Sequence, residues 1–501
     1  MTAPHSVLPP PPPSPPAPWP SEWNPPWGQV ELPPTRALAL AALAVGVLVD
    51  TAIRAGTAGL AGALAFLAAS ATLLASRRVV QTEARILVAL ASVFGVCLAL
   101  RTSLWLVPFD FIAACALLVA GASIGRRGSI LDMTAVRLVA HAISVAAHAV
   151  LGVAFLRPLV GRRHGRARVW PAVVRGLLLG APIVALLWLL LVNADAVFAS
   201  FFHVDADVGQ GVAHIVFIVS GAWALLATLR LASVAPPADV RLPPARLGGT
   251  EATVVASSVV VLFMLFAASQ VLAATGAADR VLRTQGLTYA EYARSGFFQL
   301  LWVAGLTIAG LLCLRALTCH LDARPRRRIT MLSLTIIALT VAIVGVAIHR
   351  MMLYEDAYGL TMLRLYVVVF AAWLGFALLL VGALLLGVRH DRAWFPGVAS
   401  MSLLGVLLVL NVINPEAVVA RHNLTRPHSA TPIDETYLAD LSDDALPTIA
   451  QLLPRLDTST RLRIIDAVGC TDQRQAGGWA AANLGTARAD DARAKLCAGQ
   501  A

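Results

Sequence analysis

Charge is scarce in this chain of 501 residues: Asp, Glu, Lys and Arg together make up 13%, about half of what a soluble domain carries. That deficit, with a mean hydropathy of +0.75, excludes a soluble protein over most of the length. Lysine is nearly absent, Lys495 standing alone, so the net charge of +11 is almost entirely arginine. These arginines fall in loops between apolar runs, where they orient a membrane protein, so no nucleic-acid partner is expected. The six cysteines contain no CxxC pair, which removes the commonest zinc spacing. Also missing are a Gly-rich phosphate loop, a His-Glu-x-x-His and a nucleophile elbow. No catalytic, cofactor-binding or metal-binding residue is therefore assigned, no cofactor is expected, and the chain reads as a non-enzyme.

What the chain has in abundance is long apolar runs. A helix needs about 20 apolar residues to cross roughly 30 Å of hydrocarbon. Runs of that kind lie near 37–53, 56–76, 86–100, 103–124, 172–193, 212–232, 253–274, 296–317, 329–348, 363–387 and 396–413. The third is the shortest. None alternates in the manner of an outer-membrane strand, so the expected fold is all-α: a polytopic transmembrane helical bundle of about eleven spans (ten to twelve) over residues 36–414.

Arginine segregation orients it. With the N-terminus in the cytoplasm, 23 arginines lie on the inner side and seven in the outer loops, leaving eight in the tail. The positive-inside rule then places the chain in the cell membrane with its C-terminus extracytoplasmic. Residues 136–156 are apolar enough to cross, but basic residues flank both ends. Arg137, His141, Ser144 and His148 form a polar stripe that suits a helix at the interface or packed on its neighbours. The loop with Asp195, His203, Asp205 and Asp207 is acidic, as befits an outer loop, and a divalent cation there is the less favoured reading.

Residues 1–35 hold 14 of the 29 prolines, including Pro9 to Pro13, interleaved with Trp19, Trp23 and Trp27. This composition favours an extended, disordered cytoplasmic arm that is able to dock a protein partner. Residues 415–501 read instead as a small helical tail domain, a second surface for protein partners. In it Asp444 and Asp457 or Thr458 are the expected helix caps, and Leu446, Ile449, Leu453, Leu462, Ile465 and Val468 the core. Cys470 and Cys497 are expected to form a disulfide that compensates for that thin core.

The densest polar stretch is Tyr354 to Tyr366. Gly359 permits a sharp turn, Thr361 can cap the following helix, and Arg364 enters that helix one turn later. An arginine at that depth calls for a carboxylate, and Glu355, Asp356 or Glu291 is the expected partner. Tyr358 and Arg294 complete the candidate cluster. It reads as a structural clamp on the turn, with a substrate or proton site as the competing function.

The segments Tyr354 to Tyr366, Thr288 to Gln299 and Asn193 to Phe198 resemble a bacterial family of multi-pass membrane proteins catalogued as a domain of unknown function, of the 4173/4153 type. The similarity, carried most specifically by the Tyr-Gly-Leu-Thr-x-x-Arg of Tyr358 to Arg364, extends from about residue 170 to 450 and includes Asn411 to Pro415 and Tyr437 to Leu446. It implies a membrane protein and no particular chemistry. Two functions remain open: an envelope scaffold or sensor component, and a secondary transporter of a small solute, for which Pro108 with Asp110 and Gly180 with Pro182 are the only hints of broken helices.

Overall fold

The computed structural model describes residues 33–57, 59–125, 206–233, 246–274, 296–388, 394–426, 433–469 and 478–498, with isolated positions between 145 and 191. Among these, all regular structure is helical and no strand occurs. That is what lipid demands of a backbone that must satisfy itself. The apolar helices are α1 (Arg36–Arg54), α2 (Leu60–Ala75), α3 (Thr82–Leu100), α4 (Val107–Ser123), α5 (Ala206–Leu231), α6 (Gly249–Ala274), α7 (Phe297–Thr318), α8 (Ala323–Tyr358), α9 (Met362–Leu386) and α10 (Trp394–Ile413). Ten of the eleven expected spans thus have a described helix. The fifth, 172–193, lies outside the described residues apart from scattered positions, as do the proline-rich arm up to residue 32 and most of 136–156.

Eight of these helices are long and apolar enough to cross a membrane, and the chain is a multi-pass integral membrane protein. The third span is not the short one. Thr82 to Arg85 extend it into a helix of 19 residues, whereas α2 has 16 and α4 has 17. Both are cut short at their N-termini, α2 by Gly56 with φ +68° and an N-cap at Gly59, α4 by a loop whose amides are bonded elsewhere. At the other extreme, the 36 residues of α8 rise about 54 Å, so its arginine-rich first turns stand clear of the hydrocarbon.

The helices pack as two halves. One core joins α1 to α5 through Phe94, Leu73, Leu117 and Leu229; the other joins α6 to α9 through Phe297, Ile336, Leu374 and Leu378. Helix α10 bridges them, with Trp394 and Phe395 in the second core and Leu404, Leu407 and Leu408 against the first. Within the first half α1 and α5 cross antiparallel at glycines. A Cβ on Gly46 would lie 2.2 Å from the Ile218 carbonyl oxygen, and one on Gly221 would lie 2.9 Å from Gly46 Cα. Such close approach is how dispersion holds helices together in lipid, where no hydrophobic drive exists between them. One turn along, His214 Nδ1 lies 2.6 Å from Asp50 Oδ2. Outward-facing Leu104, Ile112, Trp302 and Val412 are more than half exposed and meet the lipid.

The tail contributes α11 (Pro415–Thr425), α12 (Glu435–Ala439), α13 (Leu446–Leu452), α14 (Thr458–Val468) and α15 (Leu484–Ala498). Asp457 caps α14 as expected, accepting from Thr460 N at 2.9 Å. Leu446, Ile449, Leu453 and Ile465 are buried and Val468 is half-buried, but Leu462 is 50% exposed. Helix α14 instead turns Thr460, Ile464 and Ile465 inward, a phase set by its packing on α12 that one short helix does not specify. Asp444 does not cap α13. Its carboxylate faces the bundle.

Candidate functional site

The loop between α3 and α4 explains the redirected Asp444. Asp444 Oδ2 accepts from Thr102 N at 2.8 Å and Ser103 N at 3.1 Å. Amides at a helix start have no intrahelical partner, so the tail carboxylate satisfies donors that α4 itself does not. Arg101 approaches the same carboxylate at 3.9 Å. Its Nε donates to Asn411 O at 2.8 Å, covering a carbonyl near the end of α10.

Beneath this loop the Asn411 side chain donates from Nδ2 to Asp110 Oδ1 at 2.7 Å. Asp110 is fully buried, and among the described residues neither its Oδ2 nor Asn411 Oδ1 has a hydrogen-bond partner. Tyr366 of α9 stacks on Trp105 and Phe109, with ring centroids 5.6 and 6.3 Å apart, and so joins the two halves of the bundle at this level. Glu416, 2% exposed, enters from the first turn of α11 and accepts from Ser442 N at 2.6 Å.

Two buried carboxylates, Asp110 and Asp444, therefore share the field of Arg101, and a third, Glu416, lies beside Asp444. Burial pushes Glu416 above the usual carboxylate range, against hydrogen bonds from Ser103 and Ser442. Burial likewise raises Asp444, against the amides of Thr102 and Ser103 and the charge of Arg101. Among the described residues no three His, Cys, Asp or Glu side chains converge as metal ligands. The arrangement can hold the tail and exchange protons.

The second grip is on the turn between α8 and α9. Gly359 has φ +83°, and a Cβ there would meet Asn423 Oδ1 at 2.9 Å. That contact exists because Asn423 of α11 pairs with Leu360 as a backbone would: Leu360 N donates to Oδ1, and Nδ2 donates to Leu360 O, each at 2.8 Å. The Tyr437 hydroxyl accepts from Met362 N at 2.8 Å. The turn is thus read through its backbone by two tail residues.

Of the candidate cluster, Thr361 caps α9 as expected, accepting from Arg364 N. Arg364 differs from the expectation. Its guanidinium donates to Gly359 O and lies over the Tyr354 ring, 4.4 Å from the centroid; among the described residues no carboxylate is within ion-pairing distance, and Glu355 acts on it only through its longer-range charge. A carbonyl already exposed by the glycine turn and a ring face four residues before Tyr358 serve in place of an acid, and they avoid the desolvation that a buried pair would cost. Glu355 Oε1 is buried without a hydrogen-bond partner among the described residues, Asp356 is exposed, and Tyr358 packs its ring 4.8 Å from Tyr354. Glu291, Arg294, His141, His148 and Cys470 lie outside the described residues, as do the side chains of Asp195, His203, Asp205 and Asp207. Cys497 is disulfide-bonded, and Cys97, Cys115, Cys313 and Cys319 are free. Arg364→Ala is expected to lower stability in detergent by about 1–2 kcal/mol. Adding Glu355→Gln should leave that loss unchanged, and recovery of the melting temperature would mean that the two charges do pair.

Neither Glu416 nor Arg101 stands out in the sequence. The signal that existed was polarity at the ends of apolar runs: Asp110 after Pro108, Asn411 before Pro415, and an arginine between two spans.

The family model described as a domain of unknown function, DUF4153, matches residues 88–452. The chain belongs to this family. The DUF4153 match begins within α3, well before residue 170 where the sequence resemblance starts, and ends at the last residue of α13. It therefore includes Asp110, Arg364, Asn411, Glu416 and Asp444, and leaves α1, α2, α14 and α15 outside. No curated protein and no solved structure matches the chain significantly.

Proposed function

We propose that this DUF4153 protein is a non-catalytic scaffold or sensor component of the cell envelope, its N-terminus cytoplasmic and its tail extracytoplasmic. The observation that carries this reading is the tail's double grip, Asp444 on the α3–α4 loop of one half and Asn423 with Tyr437 on the α8–α9 turn of the other. A tail that closes both halves at one end is positioned to pass an external signal to the helices, or to present a fixed surface to a partner. Partners through the proline-rich arm and the tail's free face belong to the same proposal, as does a Cys470–Cys497 disulfide.

The orientation draws support from the helix directions. Asp50 and His214 place the start of α5 at the tail end, whereas Gly125, accepting from Val80 N, places the end of α4 at the other. Leu60 N, just after α1, donates to Ala482 O of the tail, so α1 begins at the end away from the tail, as opposite locations for the N-terminus and the tail require. Reporter fusions after Arg328 and Arg392 should report cytoplasm, and fusions after Asp279 and in the tail the exterior; a cytoplasmic tail would overturn the scheme.

Sensing has a definite sign. Glu416 and Asp444 have raised affinity for protons when the tail is docked, so the docked state binds more protons than the released one. The stabilisation is present at low pH and is lost as pH rises from the ordinary carboxylate range through the raised values. Proteolysis of the tail in the purified full-length protein should accelerate as pH rises through that window, and Glu416→Gln should flatten the profile. Transport is the second reading, favoured by the buried Asp110–Asn411 pair where the halves meet. Proton-coupled solute uptake into vesicles, abolished by Asp110→Asn, would establish it in place of the scaffold.

A further inference from the structure

At the end of the bundle opposite the tail, a cavity of about 470 Å³ opens between the end of α7, the start of α8, the end of α9 and the start of α10. Its polar lining is Arg315 and Arg326 with the hydroxyl residues Thr318, Thr330 and Ser333, and no carboxylate is among the described lining residues. We propose that it binds the phosphate-bearing headgroup of an anionic membrane lipid.

Donors alone line the polar side. Arg315 reaches across from α7 to the Leu384 carbonyl at 2.5 Å, which fixes its guanidinium at the cavity wall. Arg326 is exposed on the first turns of α8, beside Arg324, Arg327 and Arg328. Ser333 is only 2% exposed. Whereas Thr318 and Thr340 bond back to their own helix at 2.7 Å, Ser333 makes no side-chain hydrogen bond among the described residues, so its hydroxyl is left for an occupant. The exposed Arg326 guanidinium and the Ser333 hydroxyl, beside the Arg315 wall, are donors that a phosphate oxyanion accepts from.

The walls choose the source of the phosphate. Leu312, Ile329, Leu384, Leu385 and Phe395 line the remainder, and a free phosphate would leave them facing water. A lipid would set its glycerol and acyl carbons against them while its headgroup met the arginines. The position agrees, because these four helices begin or end here and the cavity therefore lies at a boundary of the hydrocarbon. Basic pockets between transmembrane helices at that depth favour anionic headgroups. This reading holds for a scaffold and for a transporter alike.

The full-length protein, purified in a neutral detergent and stripped of lipid, would be titrated with micelles containing phosphatidylglycerol, with phosphatidylcholine micelles and with inorganic phosphate, following its melting temperature. Phosphatidylglycerol should stabilise it saturably and phosphatidylcholine much less. Arg326→Gln should weaken the apparent affinity about fivefold, corresponding to the loss of one arginine contact, and Ser333→Val, which fills the space beside the headgroup, should weaken it as well. Arg324→Gln, a neighbouring arginine outside the lining, should leave it unchanged. Equal weakening by Arg324→Gln would overturn the site in favour of diffuse surface charge. Stabilisation by inorganic phosphate alone, or equal stabilisation by both lipids, would overturn the anionic-lipid assignment.

Discussion

Asp444→Ala is expected to free the tail from the membrane bundle and to cost about 3–5 kcal/mol, the penalty for stripping one partner from a buried charged pair. The loss is large because three groups depend on one carboxylate. The amides of Thr102 and Ser103 would be orphaned in a buried loop, and Arg101 would lose its nearest acid among the described residues. Water can reach them only if the tail lifts. Asp444→Asn keeps one acceptor oxygen and should cost roughly half as much. Thermal unfolding in detergent, with proteolysis between α10 and α15 as the readout of release, decides the matter. An unaltered proteolysis pattern in Asp444→Ala would show that Asn423, Tyr437 and Glu416 hold the tail by themselves.

Gly46→Val should be comparably damaging within the bundle. At 2.2 Å from the Ile218 carbonyl, the new Cβ meets backbone that cannot rotate away, so α1 and α5 must part. The cost is about 3 kcal/mol or more, at the upper end for an overpacked core. Separation would also pull Asp50 from His214 and leave a buried carboxylate without its partner. Gly305→Ala in α7 is the control, because a Cβ there meets nothing within 4 Å; it should be neutral or raise stability slightly through helix propensity. If the two substitutions melt alike, the crossing of α1 on α5 is not close in solution.

The two glycines differ only in what faces them, and hydropathy reads them identically. The same limitation explains Arg364. A sharp turn, a cap and a partner for the charge were all legible around Gly359, yet the partner is a carbonyl and a ring face rather than an acid. Which acceptor lies within reach depends on side-chain rotamers, and a sequence neighbourhood holding Glu355, Asp356 and Tyr354 does not choose among them. Asp444 is similar. Its position before Leu446 is that of a helix cap, but two amides of a loop more than three hundred residues away compete for it and win, because they are buried and a cap on α13 is not required.

By itself the sequence determined that the protein is helical and lives in a membrane, and where ten of its apolar helices run. These properties depend on local composition, since a run of apolar residues must be a self-satisfied helix wherever it sits in lipid. Only the tertiary structure decided that the tail grips both halves of the bundle, that Asp110 and Asp444 share one cation with Glu416 beside them, and that Arg315, Arg326 and Ser333 line one cavity. Each of those sites unites residues from three or more helices, and the distances that create them are set by helix crossings and loop paths that no single segment encodes.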